Sequence, residues 1–282
     1  MKFKFLGTAA ATSVPLVFCN CDVCVQARNN KGKDIRKRSS AIIDNEILID
    51  LSPDICSMAD MYNVNLGNIK CLLQTHSHSD HFDAGHFITR WSEYATKNLK
   101  FLDIFCSKGT CDDINHWVKE NEPSIDIYEK RWQEDMKYNI NILKHGDIAK
   151  YDDYEIIAID SKHDPRIEAL VFIICYKGKN ILYGTDLLEI TEETWNIIEE
   201  YKLDLVVLDQ TYGKGYNQGG HLDSGQVVEI ILRMKKENII DTNTKIYATH
   251  ISHEGNDIHE KMEKQALQNG YHVAYDGLEI EI

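Results

Sequence analysis

Four side chains that bind metals well lie in one short stretch of the sequence. His76, His78, Asp80 and His81 fall within six residues and follow an apolar segment that ends at Leu73. In an extended loop alternate side chains project to the same side, so His76 and His78 can face one metal. Asp80 and His81 can then turn toward a second point nearby. Because imidazole and carboxylate suit zinc, manganese or iron, we interpret this loop as the centre of a metal site.

Three further candidate ligands follow one rule of placement. His163, Asp186 and His250 each come at the end of an apolar segment that has the character of a strand. A hydrogen bond or a helix cap would explain any one of them alone. Together they repeat an arrangement in which ligands occupy loops at strand ends, and this recurrence indicates a shared metal site.

A second group of candidate ligands consists of thiols. Cys19, Cys21 and Cys24 place three sulfur atoms within six residues. Zinc sites with three cysteines and one histidine are a standard structural arrangement, and a loop with this spacing can wrap the ion. The fourth ligand that we expect is His253, three residues beyond His250 in the same loop. Redox or peroxide sensing by these thiols is the alternative.

The overall composition limits the classes of function. The chain has 282 residues, with 31 basic and 45 acidic side chains and a formal net charge of −14. This balance does not favour a nucleic acid partner, because proteins that hold long polyanions usually present a basic surface. No apolar run approaches the roughly 18 residues of a membrane span, and no signal peptide is evident. We therefore expect a cytoplasmic protein, in which the cysteines are reduced thiols or metal ligands.

The elements that must position these ligands are strands that alternate with helices, most clearly in the second half of the chain. The hydrophobic period predicts strands at 2–6, 41–43, 47–51, 71–73, 102–105, 155–159, 170–176, 181–183, 205–208 and 245–248, and helices at 192–201, 224–236 and 257–268. This alternation is typical of an α/β protein with sheets packed together and helices outside. We expect one domain over residues 1–282, with a Cys-rich zinc-binding loop at 19–24. Periodicity alone does not fix the topology.

The complete ligand set resembles that of a known family. In order along the chain, it consists of His76, His78, Asp80, His81, His163, Asp186 and His250. This set is similar to that of the metallo-β-lactamase superfamily of binuclear metallohydrolases, and the opening segment from Phe5 to Thr8 fits the first strand and turn of that family. The resemblance implies a four-layer αββα sandwich with two mixed β-sheets.

The same resemblance implies how the ligands are shared between two divalent metals, zinc or manganese. His76, His78 and His163 would hold one metal. Asp80, His81 and His250 would hold the other, and Asp186 would bridge the two. Asp80 would also be catalytic, because it would orient the attacking hydroxide.

The thiol cluster narrows the resemblance to one branch of the superfamily. The cysteine loop, His253 and the closing segment 276–280 are similar to the branch that contains the cyclic phosphodiesterase of the carbon–phosphorus lyase pathway. A relative associated with pyrroloquinoline quinone biosynthesis carries the same loop, so the branch is better defined than the reaction. The resemblance implies that His221, which precedes a predicted helix, assists the leaving group. The glycine-rich segment 212–220 before it is a candidate to close over a substrate.

The activity that the resemblance implies is hydrolysis of small or cyclic phosphodiesters by a hydroxide held between two metals, with a third, structural zinc at the cysteine loop. Its expected partner is a small-molecule phosphodiester, and a homodimer is compatible with the family. Three alternatives stay open, because one ligand set supports several reactions. They are an RNA-processing nuclease, a thioester or lactone hydrolase, and an accessory or redox protein like the quinone-pathway relative.

Overall fold

The secondary structure is known from a computed structural model that describes residues 1–216 and 219–282. The described strands are β1 (Lys2–Gly7), β2 (Ser40–Ile43), β3 (Ile47–Ile49), β4 (Cys71–Leu73), β5 (Leu102–Cys106), β6 (Tyr138–Ile142), β7 (Ile148–Tyr151), β8 (Tyr154–Asp160), β9 (Leu170–Tyr176), β10 (Lys179–Gly184), β11 (Leu205–Asp209), β12 (Lys245–Thr249), β13 (His272–Val273) and β14 (Glu279–Glu281). The described α-helices are α1 (Asp22–Asn30), α2 (Ile55–Tyr62), α3 (Ala84–Ile88), α4 (Lys108–Asn121), α5 (Lys130–Asp135), α6 (Glu192–Ile198), α7 (Ser224–Lys236) and α8 (His259–Gln268).

The strands form two mixed sheets. The first sheet has the order β14-β1-β2-β3-β4-β5-β6, and the second has the order β13-β12-β11-β10-β9-β8-β7. In the first sheet the pairs from β14 to β3 are antiparallel and those from β3 to β6 are parallel. In the second sheet the pairs from β7 to β10 are antiparallel and those from β10 to β13 are parallel. The parallel part of each sheet needs crossover connections, and helices supply most of them.

Alternating side chains explain why each sheet is covered on both faces. In β8, Ile156 and Ala158 pack between the two sheets, whereas Ile157 and Ile159 pack under the outer helices. Successive side chains of a strand point to opposite faces, so a strand buried on both sides is apolar throughout. The core between the sheets therefore draws on both of them, with Phe3 in β1 opposing the apolar face of the second sheet.

Helices form the two outer layers. Apolar residues of α6, α7 and α8 pack on the second sheet, and those of α2, α3 and α4 pack on the first sheet. The result is the four-layer αββα arrangement of two mixed sheets, which confirms the fold expected from the sequence. None of the helices in residues 1–216 and 219–282 has the length and apolarity that crossing a bilayer requires.

The end of β1 is held close to the segment before β2. A β-carbon at Gly7 would lie 2.0 Å from the carbonyl oxygen of Arg38, so only glycine fits here. Beyond it, Ala9 donates its amide hydrogen to the Lys37 carbonyl and pairs with Ile251 as an isolated bridge. The turn after β1 therefore packs against the loop that carries His250.

Candidate metal centre

The predicted ligands lie at the carboxyl ends of strands from both sheets. The loop with His76, His78, Asp80 and His81 follows β4 of the first sheet. His163, Asp186 and His250 follow β8, β10 and β12, which run in the same direction in the second sheet and so end at the same edge. Parallel strands bring residues that are far apart in sequence to one edge, which is where α/β proteins commonly bind ligands.

Two of these residues adopt an unusual backbone conformation. Asp186 has a φ of 51° and His250 a φ of 60°, both in the left-handed region. This conformation costs a non-glycine residue roughly 1–2 kcal/mol, and it turns the chain sharply at the end of the strand. The strained turns place both side chains over the sheet edge, where they meet the loop after β4.

Three histidines form the first cluster. The ligand nitrogens of His76, His78 and His163 all lie within 4.8 Å of one another. His163 Nε2 is 3.3 Å from His78 Nδ1, so these two rings present those atoms to a common point. The side chain of His78 is 35% exposed, whereas His76 is fully buried, so the cluster is accessible from the His78 side.

A carboxylate and two histidines form the second cluster. Asp80 Oδ2 lies 3.2 Å from His81 Nε2 and 3.5 Å from His250 Nε2. The two ring nitrogens are 3.4 Å apart. All three side chains are almost completely buried.

Asp186 lies between the two clusters and presents one oxygen to each. Its Oδ1 is 3.4 Å from His163 Nε2 and 4.0 Å from His76 Nε2. Its Oδ2 is 2.9 Å from His81 Nε2 and 3.2 Å from His250 Nε2. A carboxylate in this position can bridge two cations.

Each buried ring is oriented by a partner on its outer side. His81 Nδ1 donates to Asp50 Oδ2 over 2.7 Å, and His163 Nδ1 donates to the Gly220 carbonyl over 2.7 Å. Thr211 Oγ1 lies 2.8 Å from His250 Nδ1. The Thr75 hydroxyl bonds both Asp50 and His76 Nδ1. Such partners fix the tautomer and direct each remaining ring nitrogen inward, as is usual for histidines that bind metals.

The buried donor set fits divalent cations. His76 Nε2 is buried and has no hydrogen-bond partner in the described part of the chain. Burial lowers the pKa of His76 well below its usual range, so this ring is neutral and offers a lone pair. Burial alone would also lower the pKa of His81, but the charges of Asp186, Asp80 and Asp50 raise it far above normal. Buried carboxylates in this number need positive charge beside them, which bound metals provide.

His221 adjoins the clusters and is held by a residue that the sequence analysis missed. Its Nδ1 donates to Asp209 Oδ2 over 2.9 Å, and it lies 3.7 Å from Asp186 Oδ1. Burial opposes protonation of His221, yet the charge and hydrogen bond of Asp209 raise its pKa to about 9.

Asp209 is completely buried at the end of β11 and Asp50 follows β3, so both obey the strand-end rule already applied to Asp186. Applying that rule to every predicted strand would have found Asp209, which follows the predicted strand 205–208, but not Asp50, which lies inside the predicted strand 47–51.

The four residues predicted for the second metal site also meet in space. Ligand atoms of Cys19, Cys21, Cys24 and His253 all lie within 4.8 Å of one another. His253 Nδ1 is 3.4 Å from Cys21 Sγ and 3.6 Å from Cys19 Sγ. Burial raises the pKa of Cys24 to about 11. Burial also opposes ionisation of Cys21, but hydrogen bonds from His253, the Cys24 amide and the neighbouring thiols together lower its pKa to about 6. Three thiols and one imidazole suit tetrahedral zinc.

The His/Asp centre opens into a cavity of about 640 Å³. Besides the ligands, its wall includes His221, Tyr212, Arg166 and Glu254. Residues 217 and 218 of the segment predicted to close over a substrate lie outside the described residues.

Comparisons with known proteins agree with this architecture. One similar solved structure is a diphosphatase of the PhnP family, with a TM-score of 0.75 and 21% identity over 100% of this chain and 97% of that one. Zn²⁺-bound PqqB from Methylobacterium extorquens has a TM-score of 0.74 and 18% identity over the whole of both chains. The short form of human tRNase Z has a TM-score of 0.66 and 16% identity over 100% of this chain and 99% of that one. No curated protein sequence matches the chain significantly.

The αββα sandwich with histidines and aspartates gathered at its strand ends defines a metallohydrolase of the metallo-β-lactamase fold. The family described as the beta-lactamase superfamily domain matches residues 45–251, and the chain belongs to this family. The resemblance inferred from the sequence is thereby confirmed.

Proposed function

We propose that this protein is a phosphodiesterase that hydrolyses small phosphodiesters, cyclic ones included, with two divalent ions at the His/Asp centre. His76, His78 and His163 hold one ion, and Asp80, His81 and His250 hold the other. Asp186 faces both. Zinc or manganese suits this donor set. When bound, such a pair lowers the pKa of water and neutralises charge on a phosphoryl group.

The pairing of His221 with Asp209 carries the proposal. The departing alkoxide of a phosphodiester is a poor leaving group and needs a proton in the transition state. His221 lines the cavity beside both clusters, and its Nδ1 donates to the Asp209 carboxylate over 2.9 Å, which orients the ring and favours its protonated form. A thiolate leaves without such help, so a positioned acid favours an oxygen leaving group over thioester hydrolysis.

The similar structures support chemistry at phosphorus. One is a diphosphatase and another a tRNase, and both names denote cleavage of bonds to phosphorus. A large RNA is a poor fit for this chain, because its net charge is −14 and Arg166 is the only lysine or arginine among the described cavity residues. A small substrate is consistent with a cavity of about 640 Å³.

We further propose that Cys19, Cys21, Cys24 and His253 hold a structural zinc. His253 and His250 lie in one short loop after β12. An ion bound to the three cysteines would therefore tie the cysteine loop to the loop that bears a ligand of the catalytic centre.

The proposal is tested with protein reconstituted with Mn²⁺ or Zn²⁺ on four substrates. These are bis(p-nitrophenyl) phosphate, p-nitrophenyl phosphate, a thioester and a lactone. We expect turnover of the diester above the other three, with loss of that turnover in Asp186→Ala. The matched control is His116→Ala, which removes an exposed histidine of α4 and should change nothing.

Two results would contradict the proposal. Activity on an acyl substrate with none on the diester would indicate a thioester or lactone hydrolase. Bound metals without turnover of any of the four would favour the accessory or redox function that the sequence left open.

A further inference from the structure

A second cavity, of about 570 Å³, lies next to the catalytic cavity, and its size is usual for a small-molecule site. We call it the rear cavity. Two chain segments, 210–214 and 252–256, separate the two cavities, and no described residue belongs to both walls. Of these segments, the catalytic cavity is lined by Thr211, Tyr212, Ser252 and Glu254, and the rear cavity by Gln210, Gly213, Lys214, Gly255 and Asn256.

Side chains of the first segment face the two cavities in turn. Asp209 Oδ2 accepts from His221 over 2.9 Å, and Thr211 Oγ1 lies 2.8 Å from His250 Nδ1. Gln210, between them, lines the rear cavity instead. Successive side chains of an extended chain project to opposite sides, which explains the alternation at the end of β11. A ligand in the rear cavity therefore meets the residue between the two that orient His221 and His250.

Gln210 is only 3% exposed and has hydrogen-bonding capacity left. Its Oε1 accepts from the Tyr271 hydroxyl over 2.9 Å, and its Nε2 donates to Asn256 Oδ1 over 3.2 Å. A carboxamide has two N–H groups and two oxygen lone pairs. One of each has no partner within residues 1–216 and 219–282. Because an unused buried donor costs free energy, a ligand that accepts from Gln210 gains affinity.

The charges on the wall favour a neutral ligand. The charged side chains of the described wall are one base, Lys214, and two acids, Glu229 and Asp257. The amide hydrogens at the start of α7 can hold an anion only when they are free. Asp223 accepts two of them and the Tyr212 carbonyl accepts a third. The rear cavity therefore lacks the features of a phosphate site in the part of the chain that the structure describes.

Carboxamides and apolar side chains share the wall. The carboxamides are those of Gln210, Asn256, Gln265, Gln268 and Asn269, and the apolar groups are those of Val228, Met262 and the Tyr271 ring. Apolar side chains pack well against a flat ring. A glutamine or asparagine side chain forms a bidentate pair with adenine, donating to a ring nitrogen and accepting from the 6-amino group. The free donor and acceptor of Gln210 match such a pair.

We propose that the rear cavity is an effector site for adenosine or a similar neutral adenine nucleoside, with Gln210 paired to the edge of the base. The bound nucleoside fixes Gln210, and with it the neighbouring Asp209 and Thr211 in the arrangement that holds His221 and His250. Its occupation raises turnover at the His/Asp centre, because a ligand favours the arrangement that it binds. The effect on turnover rests on the proposed function, whereas binding of the nucleoside does not.

Calorimetry with adenosine, inosine and ribose tests the site. We expect adenosine to bind with a Kd below about 1 mM and at least about tenfold more tightly than inosine, which lacks the 6-amino donor. Ribose should not bind. Asp186→Ala removes the bridging carboxylate of the catalytic centre and should leave adenosine binding unchanged, because the rear cavity is separate from that centre.

A substitution that fills the rear cavity gives the matched test. Val228 is half-buried on α7 and lines the cavity, so Val228→Phe should weaken adenosine binding roughly tenfold or more. The control is Leu232→Phe on the same helix. Leu232 is 59% exposed and is not part of the described wall, so this variant should bind adenosine like the wild type.

Turnover provides the second readout. Saturating adenosine should raise hydrolysis of bis(p-nitrophenyl) phosphate by the metal-loaded protein roughly fivefold, the lower end of typical allosteric couplings. Val228→Phe should abolish this rise and leave turnover without adenosine unchanged. Leu232→Phe should retain the rise.

The outcomes separate the inference from the proposed function. If adenosine binds as expected but no diester is hydrolysed, the nucleoside site stands and the proposed phosphodiesterase activity fails. If the diester is hydrolysed and adenosine does not bind, the proposed function stands and the inference is refuted. Binding that is lost in Asp186→Ala but kept in Val228→Phe would place the ligand in the catalytic cavity and overturn the inference. Unchanged turnover with adenosine bound would refute the effector role.

Discussion

Two ligand clusters share one loop of this protein but differ in almost every other respect. His250 belongs to the His/Asp centre and His253 to the Cys cluster, only three residues away. In the His/Asp centre every ring except that of His78 is buried, each buried ring is fixed from outside by a polar partner, and the group opens into a cavity. In the Cys cluster Cys21 is exposed, Cys19 and His253 are half-buried, and none of the four is among the residues that line that cavity.

This difference indicates how the two clusters divide their work. Catalytic metal sites keep an open position and orient their ligands from outside, whereas structural zinc sites are closed by their own four ligands. The His/Asp centre has the features of a catalytic site, and the Cys cluster has those of a structural site that fixes the loop. Each prediction below tests that division, beginning with the largest expected effect on turnover.

The largest effect should follow the loss of Asp186, which presents one oxygen to each half of the His/Asp centre. Asp186→Ala should remove metal from both halves and lower diester turnover by roughly 10⁴-fold or more, since metal activation supplies several kcal/mol. Elemental analysis should show that the metal of the Cys cluster is retained. If all metal is lost together, the two clusters are not independent.

A smaller loss of turnover should follow removal of the acid. His221→Ala should lower kcat by roughly 10² to 10⁴, the usual range for one acid or base, and should spare metal content. Asp209→Asn should act in the same direction, because the amide cannot support the imidazolium charge. An activated p-nitrophenyl ester should be less affected than an alkyl ester. Equal metal loss in His221→Ala and Asp186→Ala would make His221 a ligand and not an acid.

The Cys cluster should affect stability more than chemistry. Cys21→Ser should lower the melting temperature by roughly 5 °C or more and reduce the metal content by one zinc per chain, because binding free energy at such sites contributes to folding. Turnover of the surviving folded protein should fall by less than about tenfold. An unchanged melting temperature with full zinc content would show that the cluster is not a structural site.

The smallest effect on turnover should come from a group of buried polar residues, Arg36, Thr8 and His259, which lies next to the loop that carries His250 and His253. Arg36 is 2% exposed and donates to Thr8 and Ala274, and its Nη2 lies 3.0 Å from His259 Nδ1. Thr8 in turn accepts the amide hydrogen of Ile251, between His250 and His253. Burial, together with the charge of Arg36, lowers the pKa of His259 to about 4.

The sign of the pH dependence follows from that shift. Between pH 6.5 and 4 the unfolded chain binds a proton at residue 259 that the folded chain does not, so stability should fall as the pH falls through this window. The contribution is at most about 3 kcal/mol. Thermal melts of the wild type and of His259→Asn should differ in slope over this window, while turnover at pH 8 stays the same. Parallel pH profiles would show that His259 does not titrate in this way.

Much of the fold could be predicted from the hydrophobic pattern. The expected helix at 224–236 has the bounds of α7, and the expected strand at 170–176 has those of β9. The hydrophobic pattern is clear in both, because α7 packs one face against the core and β9 is buried on both faces. By contrast, α4 and the strands β6 and β7 were not predicted. Several outward side chains of β6 and β7 are exposed, so these strands lack a continuous apolar run.

The sequence by itself determined the chemical types of the ligands and the local spacing of those that share a loop. Three histidines and an aspartate within six residues, and three cysteines within six, identify metal-binding chemistry without any coordinates, because both spacings are short enough for one loop. The same patterns were sufficient to predict the family.

The tertiary structure showed which groups meet at the site, and among them only the place of Asp186 had been implied by the family resemblance. It placed Asp186 between the clusters, Asp50 behind His81, Asp209 behind His221, and Arg166 beside His78 through Asp164. These partners lie on different strands and loops, and Asp186 is more than a hundred residues from His81 along the chain. Their contacts depend on the order and direction of strands in two sheets, which local periodicity does not encode, because a strand has the same alternation whichever neighbour it pairs with.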